Sequence, residues 1–161
     1  MNFPRVTFPA IVVGSNLVNN TLLLAAVLGI FVLLGHPFRA AMLWILPLTA
    51  IAAAFAAGIG LSLGVMNVFV RDIGQVVPIL LQIWFWFTPI VYPSTIIPES
   101  YRKWLQLNPA YHLVEAYHRG LMYGTAPEFK GVAVVVVVSL GLLLTALFLF
   151  LRAAEEMVDV L

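Results

Sequence analysis

Few residues in this chain have chemistry to offer. His112, Glu115 and His118 stand three apart, a spacing that brings metal ligands to mind. The pattern is neither His-Glu-x-x-His nor His-x-x-Glu-His. On a helix the two histidines lie about 120° apart, and no third ligand is evident. A polar interfacial face is therefore expected there, and no metal site. No serine sits in a grouping with histidine and an acid, so no triad is expected. There is no Gly-Lys-Ser or Gly-Lys-Thr, hence no Walker A loop and no ATP hydrolysis by this chain. There are no cysteines, which excludes disulfides and thiolate metal sites. Arg71-Asp72 reads as a structural ion pair rather than a catalytic acid. The most distinctive block is aromatic, Trp84-Phe85-Trp86-Phe87, followed by Thr88-Pro89 and Tyr92-Pro93. An interfacial belt is its ordinary meaning. Yet four consecutive aromatics point all round a helix, so some must face protein or a lumen. Trp and Tyr faces stack on sugar rings, which makes a glycan path the alternative.

The elements that hold these residues are set by composition. Of 161 residues, 63% are hydrophobic and 9% charged, with a formal net charge of +1. Soluble domains carry about 25% charged residues, so this chain cannot cover a water-facing surface. The expected fold class is an all-α integral membrane protein, with about four transmembrane helices and two short outer re-entrant or interfacial helices. The near-neutral charge gives no reason to expect a nucleic-acid partner.

The expected spans are 11–34, 41–70, 74–92 and 132–151, each close to or above the length that crosses a bilayer. The first carries Asn16, Asn19 and Asn20, with Asn16 and Asn20 on one helix face. Lipid cannot satisfy these amides. Interhelical hydrogen bonding is the simpler role, and lining a polar path is the alternative. In the second span Ala52, Ala56, Gly60 and Gly64 recur every four residues, a stripe that lets helices approach closely. Packing within the chain is favoured over a subunit seam. Arg71 and Asp72 lie at the elbow between the second and third spans. Five consecutive valines, Val134 to Val138, suggest a strand in isolation, but the continued apolar length favours helix.

Residues 98–107 form an interfacial pattern, with Tyr101, Trp104 and Leu105 opposite Arg102 and Lys103. Asn108-Pro109 reads as an N-cap with proline at the first helical position. The helix over 110–123 is expected to end at Gly124, with Glu115 and Arg119 paired one turn apart. Such re-entrant pieces are tolerated where protein covers their backbone. The tail after Arg152 carries Glu155, Glu156 and Asp159 and is expected in water. With both ends inside, Arg5, Arg71 and Arg152 oppose Arg39, Arg102, Lys103, Arg119 and Lys130 outside, so positive charge does not decide the orientation.

These motifs converge on a family. The run Asn67 to Ile73, then Pro78 to Gln82, then Phe87 to Pro93, resembles the fifth-span region of ABC-2 type permeases. The likeness is closest to the branch exporting O-antigen, capsular polysaccharide or teichoic acid. Leu107-Asn108-Pro109 followed by Glu115-Ala116-Tyr117 looks like that branch's second outer re-entrant helix. Phe8-Pro9 resembles the cytoplasmic segment that helps dock the ATPase. The resemblance implies a permease homodimer with two copies of a separate ABC ATPase, which uses the ATP, so no cofactor is expected here. It implies a multi-pass protein of the bacterial plasma (inner) membrane, both ends inside, moving a lipid-linked glycan. Phe8, Pro9, Arg71 and Asp72 would face the ATPase. Trp84, Phe85, Trp86, Phe87 and Tyr92 would line or gate the outer path. The family has six spans, and only the equivalents of the last four are expected here, as in a fragment. His118 stands where the family often has arginine, so that arginine's role does not transfer. The rival functions are an ABC-2 exporter of drugs or lipids, and a non-transporting membrane protein that packs against a full permease.

Overall fold

A computed structural model of the chain describes residues 7–36, 39–93 and 96–156, excepting the side chains of 7–10 and 154–156. The described residues are helical in six α-helices with short irregular connections. They are α1 (Thr7–Leu33), α2 (Ile45–Phe69), α3 (Ile73–Phe87), α4 (Glu99–Leu105), α5 (Pro109–His118) and α6 (Phe129–Glu156). A 3-10 turn, Ala40–Trp44, leads into α2, and a π-helical turn, Arg119–Tyr123, extends α5. Among the described residues three stretches are long and apolar enough to cross a membrane: Ile11–Leu33, Ala40–Phe69 and Phe129–Ala153. The valine run lies inside α6.

The third expected span is shorter than its apolar stretch. It ends at Phe87 after 15 residues, not at Tyr92. At 1.5 Å per residue α3 covers about 22 Å, less than the hydrocarbon thickness. The helix stops because Thr88 turns extended and Pro89 cannot supply the next helical N–H.

The core is a seam between α2 and α6, the most extensively packed pair of helices. Both run in the same direction, since Gly58 and Leu142 meet at the same depth from their helix starts and Val65 and Phe150 lie further along together. On α2 the buried residues are Ile45, Leu48, Phe55, Gly58 and Val65. On α6 they include Val135, Ser139, Ala146 and Ala153. Ser139, Ala146 and Ala153 recur every seven residues, the period of a left-handed helix pair. A Cβ at Gly58 would lie 2.7 Å from the Leu142 Cβ and 3.1 Å from the α6 backbone. Glycine is needed because the two backbones approach so closely. The hydroxyls along the seam are satisfied locally, Ser62 donating to the Gly58 carbonyl and Ser139 to the Val135 carbonyl.

The close approach is therefore at Gly58, not along the stripe. Cβ atoms added at Gly60 or Gly64 would meet nothing within 4 Å. Ala52, Ala56, Gly60 and Gly64 instead line an open cleft between α2 and α1. Helix α1 stands largely off the others, and none of its most apolar stretch is buried. Gly58→Ala should destabilise the protein by about 1–3 kcal/mol through overpacking against Leu142. Gly60→Ala should change stability by less than about 1 kcal/mol. Thermal unfolding of the two variants in detergent checks this, and equal effects would refute the placement of the seam.

Candidate functional site

Three regions hold the residues that sequence reasoning singled out: the end of α3, the elbow before it, and the cleft beside α1.

At the end of α3 the aromatic block divides. Trp84 turns into the protein and is half-buried, edge-on to Phe55 of α2 with ring centroids 6.0 Å apart. Its indole Nε1 donates to Asn108 Oδ1 at 3.0 Å. That same oxygen accepts from the Ala110 N–H at 3.0 Å, the N-cap bond of α5. Asn108 Nδ2 donates to Thr88 Oγ1 at 3.0 Å, and Thr88 Oγ1 donates to the Trp84 carbonyl at 2.9 Å. The ring closes on itself and fixes which way the Asn108 amide points. Thr88 is 2% exposed, so the ring is shielded from water. The other aromatics face outward. Phe85 and Trp86 stack edge-on at 5.7 Å, and Trp86 and Phe87 are 61% and 67% exposed. Tyr92 is half-buried, its hydroxyl donating to the Trp86 carbonyl at 2.8 Å. Two carbonyls that α3 would leave unsatisfied at its C-terminus, those of Trp84 and Trp86, are thus capped by side chains.

Helix α5 is tied to this end. The expected N-cap at Asn108 is present, with Pro109 beginning the helix. Gly124 ends the π-helical turn with φ 64°, the left-handed conformation that suits glycine. A Cβ there would run into the Arg39 side chain, whose Nη1 donates to the Tyr123 carbonyl at 3.1 Å. A cation thus sits at a helix C-terminus, where the dipole favours it. The π-helical turn brings Gly120 against the Ala41 carbonyl, binding α5 to the base of α2. Thr49 Oγ1 donates to the Ile45 carbonyl and lies 2.9 Å from the Tyr117 hydroxyl. Burial pushes the Tyr117 phenol up, outweighing the lowering influence of the Thr49 hydroxyl. Arg119 pairs with Glu115 as the spacing predicts, and also with Glu128. His112 Nε2 lies 2.8 Å from the Gln106 carbonyl, which can only accept, so that nitrogen carries the proton.

The elbow is held differently from expectation. Among the described residues no ion pair joins Arg71 and Asp72, and both side chains are exposed. Asp72 occupies the N-cap position of α3 in helical geometry and makes no side-chain cap bond. The cap comes from across the bend: Asn67 Oδ1 accepts from the Gly74 N–H at 2.8 Å. A Cβ at Gly74 would lie 3.1 Å from that oxygen, so glycine allows the approach. With the backbone secured by Asn67, the charges of Arg71 and Asp72 are free of any fold-keeping bond. Sequence reasoning missed the capping role of Asn67, which lies in the last turn of α2, seven residues before Gly74.

The cleft has a volume of about 640 Å³. Asn16 and Asn20 of α1 line it opposite the small-residue stripe of α2, with Phe150 of α6 at one end. Asn19 is exposed. Phe8 and Pro9 lie in the first turn of α1, and their side chains are outside the described residues, as are those of Glu155 and Glu156 and the whole of Asp159.

The sequence profile described as ABC-2 type transporter matches residues 1–123. The chain is 32% identical to the O-antigen export system permease protein RfbA of Myxococcus xanthus, over 99% of this chain and 62% of that protein. A Klebsiella pneumoniae protein of the same name is 25% identical over 74% of this chain and 46% of its own length. Another from that organism is 31% identical over 51% of this chain and 32% of its own length. The chain thus spans less than two thirds of these relatives.

Asn67→Ala should speed hydrogen exchange at the Gly74 amide by removing its acceptor, whereas Asp72→Ala should leave it unchanged. Exchange measured by mass spectrometry on the elbow peptide distinguishes the two. Asn108→Ala should cost about 1–2 kcal/mol from the lost cap. It also frees the Trp84 indole, so a shift in tryptophan emission should accompany the loss.

Proposed function

The chain belongs to the ABC-2 type transporter family, and we propose that it is the permease subunit of an ABC exporter of lipid-linked polysaccharide in the bacterial inner membrane. The observation that carries this reading is the likeness to O-antigen export permeases along nearly all of the chain. The geometry is compatible with the division of labour such a machine needs.

Energy comes from a separate ATPase subunit. The elbow supports a docking role for Arg71 and Asp72. Both are exposed, both lack a partner among the described residues, and the bend beneath them is fixed by a bond they do not make. Phe8 and Pro9 are assigned to the same ATPase-facing side by family likeness. A second permease copy completes the transmembrane path. The cleft and the open stripe Ala52, Ala56, Gly60 and Gly64 leave apolar surface that further helices can cover.

At the opposite end Trp86 and Phe87 are the most exposed aromatics of the block and are available to a passing sugar, with Phe85 beside them. Trp84 positions the gate rather than touching cargo, because its indole N–H is committed to Asn108. Tyr92 supports the same helix end through its bond to the Trp86 carbonyl.

The test is ATP hydrolysis by the permease reconstituted in liposomes with its ATPase. Lipid-linked glycan should stimulate hydrolysis, and amphipathic drugs should not. Stimulation by drugs alone would point to the drug-exporting branch. No bound ATPase at all would favour a non-transporting role. Arg71→Glu and Asp72→Lys should each lower the ATPase retained on purification. Neither should shift thermal stability by more than about 0.5 kcal/mol, as expected for surface sites.

A further inference from the structure

A second cavity, of about 450 Å³, lies where α4, α5 and the start of α6 meet. Unlike the cleft beside α1, it is bounded by charge. Lys103 of α4, Arg119 of the π-helical turn and Lys130 of α6 supply three cations. Glu115 and Glu128 supply two carboxylates, and both are engaged by Arg119, at 3.4 Å and 3.6 Å. Those three charges therefore sit together, while neither Lys103 nor Lys130 has an ion pair among the described residues. Two exposed ammonium groups thus border one cavity whose two carboxylates are both paired with Arg119. Gln106 and Tyr111 line the same space and offer hydrogen bonds to hydroxyl groups.

The surroundings place this cavity at the edge of a bilayer. Trp104 stands next to Lys103, and Phe129 next to Lys130. Their exposures of 72% and 83%, with 75% for Leu107, suit side chains that sit in the lipid interface. A furrow of about 520 Å³ shares Lys130 and Val134 with the cavity. It continues along α6 over Phe129, Ala133, Val137 and Val138. Apart from Lys130 its lining is apolar. A polar, cationic cavity thus adjoins a shallow apolar furrow on the surface of a span.

We infer that this composite is a binding site for an anionic phospholipid of the leaflet on the α4–α5 side. Lys103 and Lys130 hold the headgroup phosphodiester, Gln106 and Tyr111 meet its hydroxyls, and one acyl chain lies along the α6 furrow. Phosphatidylglycerol fits this chemistry. Phosphatidylethanolamine fits it less well, because its own ammonium offsets the phosphate. The bound lipid would bridge α4 to α6.

The test uses the full chain in nanodiscs of equimolar phosphatidylglycerol and phosphatidylethanolamine, with retained lipids counted by native mass spectrometry. Each lysine near a phosphodiester is worth about fivefold in retention. Lys103→Gln/Lys130→Gln should therefore hold phosphatidylglycerol about 25-fold less than the unaltered chain. Both lysines are exposed, so folding should be preserved. Val137→Asn provides an independent variant, weakening the tail while leaving both lysines in place. Inorganic phosphate and glycerophosphoglycerol, which lack tails, should not displace the lipid. Equal retention of the two lipids, unchanged retention in the double lysine variant, or displacement by inorganic phosphate would each overturn the assignment.

Discussion

The close approach of α2 and α6 at Gly58 is the contact on which the rest of the structure depends. In lipid, apolar side chains gain little by leaving the solvent, since the solvent is apolar too. Helices associate where their surfaces fit closely. Gly58 lets α2 rest on the α6 backbone at Leu142. Ser139, Ala146 and Ala153 keep the α6 side of the seam narrow. With this pair fixed, α5 has two firm attachments. Gly131 admits the His112 ring beside α6, and Gly120 meets the carbonyl of Ala41 just before α2.

From that base, hydrogen bonds determine the end of the molecule where α3 stops. A helix that ends at a membrane edge leaves carbonyls that water cannot reliably reach. Thr88 and Tyr92 satisfy two of them, and Asn108 joins the same ring to the start of α5. Breaking the chain at Thr88-Pro89 is tolerated because these bonds are made. The consequence for function is a division among neighbouring aromatics. Trp84 is hydrogen-bonded inward to Asn108, and Trp86 and Phe87 are exposed.

Much of this was legible in the sequence, for identifiable reasons. Apolar length marked α1, α2 and α6. The Asn108-Pro109 pair, Gly124 and the Glu115–Arg119 spacing are local signals with local causes, and each appears as expected. What failed depends on which faces meet. The four-residue stripe on α2 was more regular than the surroundings of Gly58, yet Gly58 carries the close contact. Periodicity identifies a face but not its neighbour. Adjacent opposite charges suggested a pair at Arg71-Asp72, whereas the bend is held by Asn67, seven residues before Gly74 and adjacent to it across the turn. The charge count across the membrane was uninformative for a similar reason. Arg39 binds the Tyr123 carbonyl, Arg102 the Ile97 carbonyl, and Arg119 two carboxylates. Three of these five cations are engaged by the fold, and Lys103 and Lys130 are exposed without an ion pair among the described residues.

The packed seam of α2 and α6 leaves two surfaces with unused capacity, the elbow and the open aromatics, and the function we propose for them is polysaccharide export. Surface glycan in cells lacking this gene measures that claim most directly. Deletion should abolish the surface polysaccharide and leave the lipid-linked chain accumulating in the inner membrane, with both effects reversed by the wild-type gene. Undiminished surface polysaccharide with no accumulated precursor would contradict it.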